Sequence, residues 1–372
     1  MTRLVRMAGA RVLQRTGAPS AQRALFNSFN GSFSDSPRAI YEELVRRAPA
    51  MRHVWLRSAA GAGFPESVIT VEPYSLGYLR DVGRAGYVVS NIEMPRNLRK
   101  RPRMTYLQTW HGTPLKRIGF DNERWKQNPR GLDRMAREFA KWDYLVSQNA
   151  FSTEIFRRAF RFDGEILETG YPRNDVLSAP EAPALRRELR AALGITDGMR
   201  AILYAPTWRD NLVDERGALR FSPALDIARM AERLGGDTVL LLRLHRLLTP
   251  ELGEGLGAFV RNVSAHPDIR DLYLAADVLV TDYSSAMFDF AVTGKPIAFF
   301  TYDLDEYRDS VRGFYFDLEA EAPGPVCRTS EDLIDALGDL DERSHDYDRF
   351  RRRFCALEDG GATRRVVERV FG

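Results

Sequence analysis

Thr105-Tyr-Leu-Gln-Thr-Trp-His-Gly-Thr-Pro-Leu-Lys-Arg-Ile-Gly-Phe-Asp121 is the stretch from which the architecture follows. Its first six residues read as a short strand, rich in β-branched and aromatic side chains, and the run stops at His111. A strand whose carboxyl end carries chemistry is the signature of an open α/β sheet. The residues after the strand suit negatively charged oxygen. His111 takes a proton from a hydroxyl near neutral pH, and Gly112 lets backbone approach a ligand closely. Thr113 adds a small hydroxyl, and Lys116 and Arg117 neutralise phosphate. By itself this segment supports a phosphate-handling role and nothing finer.

The chain on either side repeats the strand-and-helix alternation. Upstream, Asn30-Gly-Ser-Phe-Ser-Asp35 is a turn-rich loop before helical spacing over Pro37–Arg47. Short buried strands are predicted at His53–Leu56, Ser67–Val71 and Tyr87–Asn91, with Tyr144–Gln148 and Glu165–Thr169 following downstream. Ser178-Ala-Pro-Glu-Ala-Pro-Ala184 interrupts this series with two prolines and reads as a domain connection. A second series has strands at Ala201–Ala205, Thr238–Arg243, Val278–Thr281 and Pro296–Phe300. The expected fold is α/β, with two Rossmann-like domains facing a cleft. The expected divisions are an N-terminal arm over 1–25, a first domain over 26–180, a second over 181–345 and a C-terminal helix over 346–372.

Length and composition agree with two globular domains. The 372 residues are 44% hydrophobic and 28% charged, enough apolar material for sizeable cores and too much for a disordered chain. Two cysteines, Cys327 and Cys355, make no disulfide framework and point to a reducing, cytoplasmic setting. No run approaches the roughly 18 apolar residues of a membrane-spanning helix, and the N-terminus lacks the apolar core of a secretory signal. Met1–Phe26 carries Arg3, Arg6, Arg11, Arg15 and Arg23 without a carboxylate, interleaved with Leu4, Val5, Met7, Val12 and Leu13. It reads either as an amphipathic arm for an anionic membrane surface or as a plain basic tail. A net charge of +3, without an aromatic-interleaved basic stripe, argues against nucleic acid as a partner.

Four further motifs sharpen the reading: Thr169-Gly-Tyr-Pro-Arg-Asn-Asp175, Tyr204-Ala-Pro-Thr-Trp-Arg-Asp210, Leu242-Arg-Leu-His245, and Asp277-Val-Leu-Val-Thr-Asp-Tyr-Ser-Ser-Ala-Met-Phe-Asp289. With the Tyr302–Asp317 segment, they resemble the CDP-glycerol glycerophosphotransferase family of teichoic acid primases and polymerases, from about Phe26 to the C-terminus. The resemblance implies the glycosyltransferase-B architecture and a CDP-glycerol donor. It further implies a lipid-linked or polyol-phosphate acceptor, no cofactor, and action in the cytoplasm or on the inner face of the cell membrane.

The same resemblance distributes roles. Of the five histidines, His111 is implied as the base for the acceptor hydroxyl and His245 as a contact to donor phosphate; a lone strand-end histidine is otherwise more often structural. Arg209 is expected to hold the donor diphosphate, as are Ser284 and Ser285 at a helix N-terminus, where ordinary Ser capping is the competing reading. Asp289 matches the acidic position that binds nucleotide ribose, with a helix salt bridge as its alternative. Arg173, Asn174, Asp282, Arg308 and Arg312 complete the expected cleft residues. Asp303-Leu-Asp305 has a metal-style spacing but no accompanying ligand cluster, so no metal is assigned. The chain lacks both G-x-G-x-x-G and G-x-x-x-x-G-K-[ST], which argues against dinucleotide and P-loop chemistry. The competing functions are a CDP-ribitol or nucleotide-sugar transferase of the same fold, and a non-catalytic binding module at the membrane surface.

Overall fold

The computed structural model describes residues 18–59, 61, 63–94, 99–207, 224–244, 255–308, 313–340 and 345–372. Two all-parallel sheets face each other. The first orders its strands β3-β2-β1-β4-β5-β6-β7, with β1 Ser20–Asn27, β2 Arg52–Leu56, β3 Thr70–Val71, β4 Ala85–Ser90, β5 Thr105–Gln108, β6 Tyr144–Ser147 and β7 Glu165–Glu168. The second runs β10-β9-β8-β11-β12-β13, with β8 Arg200–Tyr204, β9 Thr238–Leu242, β10 Val260–Asn262, β11 Val278–Thr281, β12 Ile297–Phe300 and β13 Val326–Cys327. Both are Rossmann-like, and together they form the glycosyltransferase-B architecture. In each sheet the chain order reverses beside the first strand, between β1 and β4 and between β8 and β11. Those two reversal points open the crevices in which such sheets bind ligands.

The strands alternate between two cores because successive side chains point to opposite faces. In β1, Leu25 joins the core of Val54, Val88 and Leu145, whereas Ala24 and Phe26 join Trp55, Val89 and Val146 on the other face. In β8, Ala201 and Leu203 face one layer and Ile202 and Tyr204 the other.

β1 overturns part of the expected division. Residues 20–25 are not arm but part of a central strand paired on both sides, with Arg23 in register with Arg52 and Leu25 with both Val54 and Val88. The first half of the strand is polar and partly exposed, so its local pattern resembles a solvated basic segment; burial begins at Ala24. Arg23 pairs with Asp81 at 3.7 Å. Residues 1–17 lie outside the described residues.

The C-terminal helix is two helices, His345–Phe354 and Ala362–Phe371. The first packs Phe350 and Phe354 onto Phe288 of the second domain, at ring-centroid distances of 5.4 and 4.9 Å. The second crosses back and buries Val366, Val367 and Val370 in the first domain's core beside Ile40 and Leu44. Its N-terminus is held by Asp175, whose carboxylate accepts the Ala362 and Thr363 amides at 3.0 and 2.7 Å; this satisfies two otherwise orphaned N–H groups. The chain end therefore ties both domains together.

Candidate active site

A cavity of ≈440 Å³ lies between the two reversal points. Its first-domain wall is the segment Trp110–Lys116, and its second-domain wall combines Ala205–Thr207 after β8, Arg243 and Leu244 after β9, and Tyr283–Ala286 after β11. Each lining segment follows a strand, so the sheet order converges on the cavity from both sides.

His111 is held in one tautomer. Its Nδ1 lies 2.8 Å from the main-chain oxygen of Asn91, and a carbonyl only accepts, so Nδ1 carries the proton and Nε2 is left as a lone-pair acceptor. Trp110 stacks on the ring at 4.3 Å and Phe29 meets it edge-on at 6.0 Å. Burial pulls the imidazole pKa below its ordinary value; the Asn91 carbonyl and Asp35 oppose that pull and Arg173 adds to it. A neutral imidazole with a committed Nδ1–H can accept a proton only at Nε2.

Across the cavity, Ser284 and Ser285 precede the short helix Ala286–Ala291. Ser284 Oγ accepts the Ala286 amide at 3.2 Å, and Ser285 makes no side-chain cap. The capping reading thus fits Ser284, while Ser285 keeps its hydroxyl available to a ligand. Gly112 serves a different approach from the one expected. A methyl group there would lie 2.4 Å from Ser285 Oγ, so the glycine brings the two walls together.

Other expected residues brace the cavity from outside. Thr113 Oγ1 donates to Gln148 Oε1 at 2.6 Å and accepts from Asn149 and Ser152; its hydroxyl is spent inside the first domain although its backbone lines the cavity. Asp282 accepts the Thr207 amide at 2.9 and 3.0 Å and the Tyr283 amide at 2.6 Å, joining the turns after β8 and β11. Lys116 does line the cavity, with Nζ 3.4 Å from the Tyr307 hydroxyl. Arg117 does not: its amide donates to Gly313 O at 3.1 Å, and its exposed side chain lies outside the lining. Arg308 is an exposed partner of Asp305 at 3.2 Å. Asp303 accepts from the Tyr283 hydroxyl at 2.9 Å, and Asp305 also pairs with Arg328, which accounts for both acids of the Asp-x-Asp triplet. His245, Arg209 and Arg312 lie outside the described residues.

Asp289 is corrected by the structure. Only 4% exposed and absent from the cavity wall, it receives Arg173 through Nε and Nη2 at 3.1 and 2.9 Å and Asn174 Nδ2 at 3.0 Å. Arg173, itself 2% exposed, reaches Asp35 with Nη1 at 3.3 Å. Arg173, Asn174 and Asp289 therefore form a buried seam behind the cavity that links the domains, and the acid has no face left for a ribose. Glu358 extends the seam, accepting from Asn174 Nδ2 and the Tyr171 amide at 3.1 Å each.

Sequence reasoning missed Asn91, Phe29, Thr207, Arg243 and Tyr283. Arg243 lines the cavity while donating to Val263 O and His266 O at 3.3 and 2.9 Å. Tyr283 stacks on Tyr307 at 4.2 Å. The available signal was position: Asn91 and Arg243 end predicted strands, and Thr207 and Tyr283 follow predicted strands by two residues, where ligand contacts concentrate.

Comparison with known proteins bears on the family and the fold. Residues 12–372 match the family described as CDP-Glycerol:Poly(glycerophosphate) glycerophosphotransferase. The teichoic acid glycerol-phosphate transferase of Staphylococcus aureus is 41% identical over 365 residues, 95% of this chain and 94% of that protein. The teichoic acid poly(glycerol phosphate) polymerase of Bacillus subtilis is 40% identical over 359 residues; these make up 93% of this chain and 48% of that protein, so the chain spans about half of that relative. Among solved structures, the wall teichoic acid polymerase TagF, as a His-to-Asn variant soaked with CDPG, superposes with a TM-score of 0.90 at 36% identity. That superposition covers 98% of this chain and 92% of the other.

Proposed function

The chain belongs to the CDP-glycerol:poly(glycerophosphate) glycerophosphotransferase family, and from that premise we propose that it moves glycerol phosphate from CDP-glycerol to a hydroxyl of a lipid-linked or polymeric acceptor. CMP is released, and the product is teichoic acid or a related cell-surface polymer. The observation that carries this reading is His111, with Nδ1–H committed to Asn91 O and its ring on the wall opposite Ser285. The acceptor oxygen attacks the phosphorus that bears glycerol, and Nε2 takes the hydroxyl proton. The bond from that phosphorus to the bridging oxygen then breaks, and CMP departs with the bonding pair. Ser285, Lys116 and Arg243 are assigned to the charge on the phosphoryl oxygens, where fixed donors contribute most. His245 and Arg209 keep their proposed donor-diphosphate roles. Asp289 is removed from the donor site.

Among the described residues no helix is long and apolar enough to cross a membrane. Residues 1–17, with Arg3, Arg6, Arg11 and Arg15, are proposed to meet the anionic inner surface of the cell membrane, where each cation near the surface contributes about 1 kcal/mol. The test of the reaction is a donor panel: CDP-glycerol, CDP-ribitol and UDP-sugars with purified protein and lipid-linked or polyol-phosphate acceptors. CMP release that needs both CDP-glycerol and acceptor is expected. Preference for CDP-ribitol or a UDP-sugar would replace the donor, and nucleotide binding without turnover on any acceptor would leave a binding module.

A further inference from the structure

We infer that Asn91 is a positioning residue for the acceptor step, holding the loop Ser28–Gly31 and the His111 imidazole as one unit; this rests on the transfer reaction proposed above. Asn91 follows β4 at the point where the first sheet reverses, and it is fully buried. Its side chain spans the reversal. Oδ1 accepts the Phe29 amide at 3.0 Å, and Nδ2 donates to Ser28 Oγ at 3.1 Å. Its main-chain oxygen accepts His111 Nδ1–H at 2.8 Å. One residue thus joins the ends of β1 and β4 to the segment after β5.

The clamped loop is one that would relax if released. Phe29 and Asn30 hold φ of +43° and +60°, left-handed values that a side chain beyond glycine adopts at a cost and keeps only where its surroundings over-determine it. Phe29 is nonetheless 44% exposed, so packing alone does not hold it. The Asn91 amide holds it together with the loop's own main-chain bonds, Gly31 and Ser32 N–H to Ser28 O at 2.9 and 2.8 Å, and the result is an aromatic edge set against the imidazole at 6.0 Å. With Trp110 on one face, Phe29 at the edge and the carbonyl on Nδ1, the ring is fixed, and Nε2 has no hydrogen-bond partner among the described residues. Phe29 touches the ring from outside the cavity lining, so the loop acts on the base and not on the cavity wall. Loop and base must therefore be in place together, since an error of about 1 Å in such a geometry costs on the order of 10²-fold in rate.

The charged groups acting on the ring are Asp35 and Arg173, of opposite sign; Lys116 and Arg243 line the same cavity. None is altered by changing Asn91. Asn91→Ala in the full chain is expected to lower kcat for CMP release with acceptor on the order of 10²-fold, while calorimetric CDP-glycerol affinity stays within about two-fold. Released from its cage, the imidazole gains solvent, so the acid limb of the pH–kcat profile moves up toward about 6.5. Asn91→Asp keeps an acceptor for the Phe29 amide, and the Ser28 hydroxyl can turn to donate to it, so this variant recovers part of the lost kcat, with its acid limb raised further because the new carboxylate favours the imidazolium. If Asn91→Ala does not fold, Ser28→Ala, which removes one arm of the clamp, shifts both readouts in the same direction by less. Two results overturn the proposal: an unchanged kcat and acid limb in a folded variant, or CDP-glycerol binding that falls in step with kcat. Wild-type protein that releases no CMP with any acceptor overturns the transfer reading first, and that outcome is read independently of the variants.

Discussion

His111 and Gly112 do different work although they are neighbours. His111→Ala is expected to lower CMP release by ~10²–10⁴-fold, the usual contribution of a positioned base, with CDP-glycerol binding retained within a few-fold; single-turnover CMP release beside calorimetry checks this. The base acts when neutral. Because burial depresses its pKa, the acid limb of the wild-type pH–kcat profile should fall below about 6.5, with activity present above the depressed pKa and lost as pH drops through it. Gly112→Ala places a methyl 2.4 Å from Ser285 Oγ and 2.6 Å from Ser285 Cβ. Something must move, and a side chain at φ +155° is strained besides. The substitution should lower kcat, and pairing it with Ser285→Gly should restore wall spacing and part of the rate. Ser285→Gly alone supplies the baseline, because it also removes the hydroxyl assigned to the phosphoryl oxygens; single-variant losses that simply multiply in the double variant would show that the contact does not set the spacing.

Elements set where a truncation can fall. β1 is paired to β2 and to β4, so losing its first residues exposes backbone N–H and C=O groups on both neighbours. Removing residues 2–17 should leave a folded, CMP-releasing protein with weaker sedimentation on anionic vesicles at low salt. Removing residues 2–23 should instead abolish cooperative unfolding, because it cuts into a central strand and strips the partner from Asp81. Thermal unfolding followed by circular dichroism separates the two. The helix Ala362–Phe371 is a second such element, since Val366, Val367 and Val370 complete the first domain's core from the far end of the chain.

The two domains are joined through charges taken out of water. Arg173 lies between Asp289 and Asp35, and removing it leaves both carboxylates buried without their cation. Arg173→Ala should therefore destabilise by about 3–5 kcal/mol, read from denaturant unfolding, while Arg308→Ala, at an exposed pair, should change stability by less than about 1 kcal/mol. Glu358 gives the seam a pH dependence. Burial raises its pKa from 4.5 to about 7, so the folded state holds a proton that the unfolded state gives up. Stability from this group is full below the unfolded value, declines as pH rises and is lost above about 7; the difference is on the order of 3 kcal/mol. Glu358→Gln should flatten that decline between about pH 4.5 and 7 in unfolding measurements. A parallel decline in both proteins would assign it elsewhere.

Much of this architecture was legible in the chain because parallel strands are short, apolar and bounded by turns, and because the residues after them carry the chemistry. β11 Val278–Thr281 matches its predicted span, and β5 and β9 end within two residues of theirs. Strand ends suggested that His111 faces a cleft, whereas Ser285 was separated from an ordinary cap only by the family motif. The failures share a physical cause. β1 begins polar and becomes apolar only where it meets the core, so its membership in the sheet rests on pairing with strands far along the chain. Asp289 looked like a ligand residue because it matches the acidic ribose-binding position of the family; that its carboxylate meets Arg173 depends on a contact between residues 116 positions apart. Asn91 carried no motif, and its grip on His111 arises from β4 and β5 lying side by side. Local pattern encodes which elements form and which residue types end them, whereas partners of buried polar groups are selected when the sheets stack and the domains close, since each such group must find a hydrogen bond or pay desolvation in full.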